Sequence, residues 1–118
     1  MASGDLSFPA HAVGQLGSSV GTLYTVPSGK SAIHFDLWLC NTDGTTEYLP
    51  DVHITDSGGT QSATNQLIKG VASVTGLRAG ESRQYSGDIT VPATYLFRGL
   101  ANSASKITYF LSVVLRED

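Results

Sequence analysis

Three side chains able to hold a metal or move a proton stand within a short reach of this sequence: His34, Asp36 and His53. His34 and Asp36 are two apart in the alternating stretch "AIHFDLWLC", so on an extended strand they share one face, roughly 7 Å apart. With His53 from a second strand they would make a two-histidine, one-carboxylate set, a legitimate metal pattern. Alternating strands produce such a pair often by chance. The reading adopted is a polar exposed or interfacial face, with no metal and no other cofactor expected.

The remaining reactive residues point the same way. "DSGG" at 56–59 shares its letters with a serine-protease nucleophile segment, but it falls where a hairpin turn is wanted, and the chain has no "GxSxG" elbow. Glu47, Asp51 and Asp56 could be imagined as the acid pair of a glycoside hydrolase. They cluster around turns, in a chain with little room for a cleft that would desolvate a catalytic acid. "SGGT" lacks the lysine and following helix of a phosphate-binding loop. Cys40 is the one cysteine, which excludes an internal disulfide and any zinc site of several thiolates. It reads as a small buried hydrophobe made in a reducing compartment. No enzyme is expected.

The elements that would carry these residues are strands. In residues 30–41, Ile33, Phe35, Leu37 and Leu39 fall on one side, and Ala32, His34, Asp36, Trp38 and Cys40 on the other. The first set reads as a core face. The second is too rich in Trp and Cys for a face turned to water alone. Residues 106–116 repeat the pattern, with Ile107, Tyr109, Leu111, Val113 and Leu115 inward and a second face that includes Phe110 and Val114. "GTLYTVP", "YLPDVHITDS", "RQYSGDITV" and "ATYLFRGLA" read as further strands, separated by the turns "PSGK", "NTDG", "SGG" and "AGE". "QSATNQLIKG" and "VASVTG" suit either an edge strand or a loop. No segment keeps apolar spacing at i, i+3, i+4 and i+7, so no substantial helix is expected.

Seven or eight short strands with regular turns predict an all-β fold: a single antiparallel β-sandwich or jelly-roll-like domain over residues 21–118. Residues 1–20 show no periodicity and read as an extended N-terminal arm with few large side chains to anchor it; the alternative is a loose terminus whose Phe8 packs on its own domain. Two strands with apolar groups on both faces exceed what one sandwich can bury, which points to an interface.

Composition narrows the partners. The 118 residues fit one domain. Only 14% are charged against a usual quarter, so part of the surface is expected to meet something other than water. The formal net charge of −3 argues against nucleic acid. No apolar run reaches the ~20 residues of a membrane span, and "MASGDLSFPA" does not read as a secretory signal.

From residue 21 onward the chain resembles a family of small virion proteins of tailed bacteriophages. The likeness rests on "LYTVPSGKSAIHFDLWLCNTDG" and on "LRAGESRQYSGDITVPATYLFRGLANSASKITYFLSVVLRED". The matching positions are Val26, Pro27, Gly29, Lys30, Asn41, Gly44, Ala79, Gly80, Glu81, Gly87 and Val91. The resemblance implies a β-sandwich component of a virion: a capsid decoration or cement protein, a head fibre, or part of a tail or tail fibre. Such proteins are commonly trimeric or bound at symmetry axes, and none of the shared residues is catalytic. His34, Asp36, Trp38 and Cys40 depart from the family, whose long strand often carries Val, Ile or Ser on that face.

The expectation is therefore a non-catalytic virion protein, made in the host cytoplasm, that decorates or cements the capsid surface. Its partners would be the major capsid protein or another virion protein, and further copies of itself, as a trimer. Trp38, Phe110 and Val114 are the expected interface anchors, and Leu6, Phe8 and Pro9 would carry the arm onto a neighbour. The alternative is a receptor-binding module of a fibre that recognises host glycan through Trp38, Tyr48 and His53, or a head–tail or tail component.

Overall fold

β1 (Leu6–Gln15), which from His11 onward alternates exposed residues with the small, half-buried Ala12 and Gly14, is one of eight strands among the described residues. The others are β2 (Gly21–Thr25), β3 (Lys30–Asn41), β4 (Pro50–Thr55), β5 (Gln66–Lys69), β6 (Ser82–Gly87), β7 (Leu96–Ala101) and β8 (Ile107–Glu117). A 3-10 turn, Ala63–Asn65, precedes β5. The structure is a computed structural model that describes residues 6–118, with side chains from residue 11 onward. The expected contacts of Leu6, Phe8 and Pro9 therefore lie outside the described side chains.

Pairing follows a nested rule. β1 pairs with β8, β2 with β7, β3 with β6 and β4 with β5, all antiparallel, as though one long hairpin had been folded. Two further pairings, β3 with β8 and β4 with β7, roll that hairpin into two four-stranded sheets. Their orders are β1-β8-β3-β6 and β2-β7-β4-β5, the topology of a jelly roll. The expected all-β antiparallel sandwich of jelly-roll type is what the chain forms.

The core lies between the sheets. Leu37, Leu39, Leu111 and Val113 of the first sheet face Val52 and Phe97 of the second, and Leu16 and Leu23 belong to the same buried cluster. Phe35 and Phe97 meet across the gap at 5.8 Å between ring centroids, tilted by 57°. Such a contact contributes roughly 1 kcal/mol beyond its buried area. Local chemistry sets the turns. In "VPSGK", Gly29 takes φ +78° and the Lys30 N–H donates to the Pro27 carbonyl. That geometry favours glycine at the third turn position.

Three features differ from the sequence reading. A register shift between Ala32 and His34 breaks the alternation of β3. Ala32 consequently turns into the core, 1% exposed, where it bridges Val91, and Ile33 is only half-buried. Cys40 is half-buried on the outer face instead of fully enclosed. Residues 6–15, inside the expected arm, form β1 and lie along β8, with a shift between Ser7 and Ala10. Of the two ambiguous segments, "QLIK" is the edge strand β5, and "VASVTG" is a loop.

Strand direction sorts the loops between two ends of the sandwich. Loops 42–49, 70–81 and 102–106 meet at one end, tied by bonds such as Asn102 N–H to Leu49 O, Gly80 N–H to Asp43 O and Ser73 N–H to Glu47 Oε2. Loops 56–65 and 88–95 lie at the other end, with the β2–β3 turn.

Candidate functional site

Register places the outward residues of the first sheet in transverse rows, because cross-strand partners share a face. Val13, Phe110, Trp38 and Gln84 form one row through β1, β8, β3 and β6. Val13 is 59% exposed, Phe110 43% and Trp38 47%. The next row runs His11, Ser112, Asp36, Ser86. The His11 ring stacks on Phe110 at 5.7 Å and 3°. Val114 stands opposite His34, one row further on, and is half-buried. Taking ~200 Å² for a whole aromatic side chain, the half-exposed Trp38 and Phe110 leave roughly 200 Å² of ring surface open. Covering it would be worth about 5 kcal/mol before the costs of association. The structure thus brings Trp38 and Phe110 together, with Val114 nearby. Val13 and His11 were missed by sequence reasoning, although their two-residue spacing carried a strand signal.

His34 is clasped by two carboxylates. Its Nδ1 lies 2.5 Å from Asp88 Oδ1 and its Nε2 lies 3.2 Å from Asp36 Oδ2, while Gln84 Nε2 donates to Asp36 Oδ1 at 3.2 Å. An ionised carboxylate only accepts, so both contacts are made together when both ring nitrogens carry protons. The bond to Asp88, then that to Asp36, raises the His34 pKa above the usual imidazole value against the cost of partial burial. The carboxylates hold opposite nitrogens, so this trio cannot converge on one ion. His53 does not join it: it lies buried in the second sheet, with Nδ1 2.9 Å from Asn65 Oδ1.

Tyr48 stands elsewhere again, in the loop 42–49. Its hydroxyl donates to Asp43 Oδ2 at 3.0 Å, and the Lys106 ammonium lies 5.9 Å from its ring centroid. Trp38, Tyr48 and His53 therefore occupy three separate parts of the fold. The acids considered for hydrolysis serve as loop pins. Glu47 accepts from Ser73 N–H and Asp51 from Gly70 N–H, while Asp56 lies at the opposite end, where its carbonyl closes the "DSGG" turn onto Gly59 N–H.

No family model matches the chain, and no curated protein matches it in sequence. Solved structures do. A chain in the acidic stable capsid structure of Helicobacter pylori bacteriophage KHP30 is 16% identical with a TM-score of 0.58, covering 96% of this chain and 89% of that one. A chain of the capsid of Ralstonia phage GP4 is 13% identical with a TM-score of 0.56, covering 99% and 88%. A chain of the Bacillus endospore appendages, described as a family of disulfide-linked pili, is 11% identical with a TM-score of 0.56, covering 99% and 94%. The likeness is one of fold. It spans nearly the whole length of both partners in each case, so this jelly roll has the extent of the domains it resembles.

Proposed function

We propose that this chain is a non-catalytic structural protein of a phage virion, one that decorates or cements the capsid by binding neighbouring subunits. The observation that carries the reading is the exposed row Val13–Phe110–Trp38 across the outer face of a complete jelly roll. A solvated sheet face is normally polar, whereas this one presents two large rings and a valine side by side. The fold shared with chains of two phage capsids supports the setting. Trp38 and Phe110 serve as anchors, with Val114 beside them, in a contact that has to bury about 1,000 Å² or more to be stable. The segment carrying Leu6, Phe8 and Pro9 reaches the capsid or a neighbouring copy, and closed trimers add avidity through repeated contacts.

The test is made on virions of the phage whose genome encodes this chain. Mass spectrometry and electron microscopy of purified particles should find it on the capsid surface in symmetric copy number. Particles made with Trp38→Ala and Phe110→Ala should lack it. Its absence from wild-type particles would overturn the reading. A host glycan that quenches Trp38 fluorescence would replace it with the fibre-tip alternative.

A further inference from the structure

The two ends of the sandwich carry complementary features. At one end, the loop after β5 presents Val71, 45% exposed, and Val74, at 71% the most exposed of the described large hydrophobics. This loop is rigidly built. The Val71 carbonyl accepts from the N–H groups of Val74, Thr75 and Gly76, and the Val71 N–H donates to Thr75 Oγ1. Ser73 is held at φ +61°, a left-handed conformation unfavourable for a residue other than glycine, and its N–H is pinned by Glu47. Strain and hydrogen bonds are thus spent holding two valines out in water. Nothing else in the described fold uses them.

At the opposite end lies a cleft of about 350 Å³ between the start of β5 and the loop 88–95. Ile54, Leu67, Ile89, Val91, Pro92 and Tyr95 give it apolar walls, and Ile89 is 43% exposed. That volume is small for a ligand site but has room for a pair of branched side chains. Charge matches as well. Lys69, immediately before the valine loop, lies 3.7 Å from Asp51 yet leaves 64% of its side chain exposed, and Asp88, immediately before Ile89, holds His34 yet leaves 89% exposed, so each can take a second partner of opposite charge.

We infer that the Val71–Val74 loop of one copy seats in the Ile54–Leu67–Ile89 cleft of the next, with Lys69 brought beside Asp88. Because donor and acceptor surfaces lie at opposite ends of one molecule, the contact is head-to-tail. A head-to-tail contact closes into a ring or extends as a filament according to the rotation between copies. It is separate from the aromatic face of the first sheet and does not depend on the virion reading.

The test is light scattering on the purified chain from about 1 μM to about 1 mM, with Val74→Glu and Ile89→Glu variants. Both positions are exposed, so unchanged circular dichroism is expected for each. Wild type should associate with rising concentration, and either substitution should weaken this roughly 30-fold or more. The decisive arm is the mixture: Val74→Glu keeps its cleft and Ile89→Glu keeps its loop, so the two together should form a one-to-one heterodimer. Trp38→Ala should leave that heterodimer intact. A wild-type monomer throughout, self-association indifferent to Val74→Glu, or a mixture that stays monomeric would each overturn the inference.

Discussion

Trp38 on β3 and Phe110 on β8 are direct register partners, and each leaves close to half its surface in water. The covered half of each ring still supports the isolated domain, so Trp38→Ala with Phe110→Ala should lower the unfolding free energy by about 2–4 kcal/mol and leave the domain folded. The same double substitution should abolish the assembly contact. Urea titration and particle composition, measured on one preparation, read the two effects separately.

His34 makes a pH-dependent contribution. Its pKa in the folded chain is raised, so the stabilisation is fully present below the imidazole's unfolded value of about 6.5 and is lost as pH rises through the folded value. Asp43 and Glu81 have the opposite sign. The Tyr48 hydroxyl lowers the first and the Arg78 N–H, then Arg83, lowers the second, so their contributions fade as pH falls through those depressed values. Stability is expected to peak between the acid and alkaline limbs. Asp88→Asn should bring the His34 titration, followed by NMR, back down toward about 6.5.

Asn41 is wholly buried, and its amide is fully engaged. Nδ2 donates to the carbonyls of Thr46 and Leu77, and Oδ1 accepts from Asp43 N–H. It thereby fastens the end of β3 to two loops. Asn41→Leu leaves the Asp43 N–H and the Thr46 carbonyl without this partner, while the Leu77 carbonyl keeps the Tyr48 N–H, and should destabilise by about 2 kcal/mol or more. Thermal unfolding would register this as a large drop in Tm.

Gly70 sits where β5 leaves the sheet beside Pro50. A Cβ there would lie 2.7 Å from both the nitrogen and the carbonyl oxygen of Pro50. Backbone cannot yield as a side-chain tip can, so Gly70→Ala should destabilise by about 3 kcal/mol or more. Gly21→Ala, which meets nothing within 4 Å, is the matched control and should change little.

The long strands β3 and β8 were legible in the sequence because their bulk is on the chain itself: Leu37, Leu39, Leu111 and Val113 alternate over many residues. β1 was not. Its inward positions from Ala12 to Gly14 are small because the partner strand fills their space; the Tyr109 ring lies where a Gly14 Cβ would be, 2.8 Å from its hydroxyl. A strand whose bulk is supplied by another strand has no hydrophobic signature of its own. The slip at Ala32 was hidden for a related reason, since a bulge changes which side faces inward without changing composition. At the candidate site, Trp38 and Phe110 followed from parity. Their alignment with Val13 needed the pairing of β1, and the His34 clasp needed Asp88, which is 54 residues away.

The nested pairing also sets a timetable. β8 lies between β1 and β3, yet the ribosome makes it after all seven other strands. Until residue 117 has emerged, β1 has no partner within its sheet and β3 lacks its longer one. At about 5–20 residues per second, the two strands wait several seconds with open edges and exposed apolar rows. The nascent chain is therefore most exposed to wrong pairing just before β8 arrives, and that one late strand zips the first sheet from its middle outward.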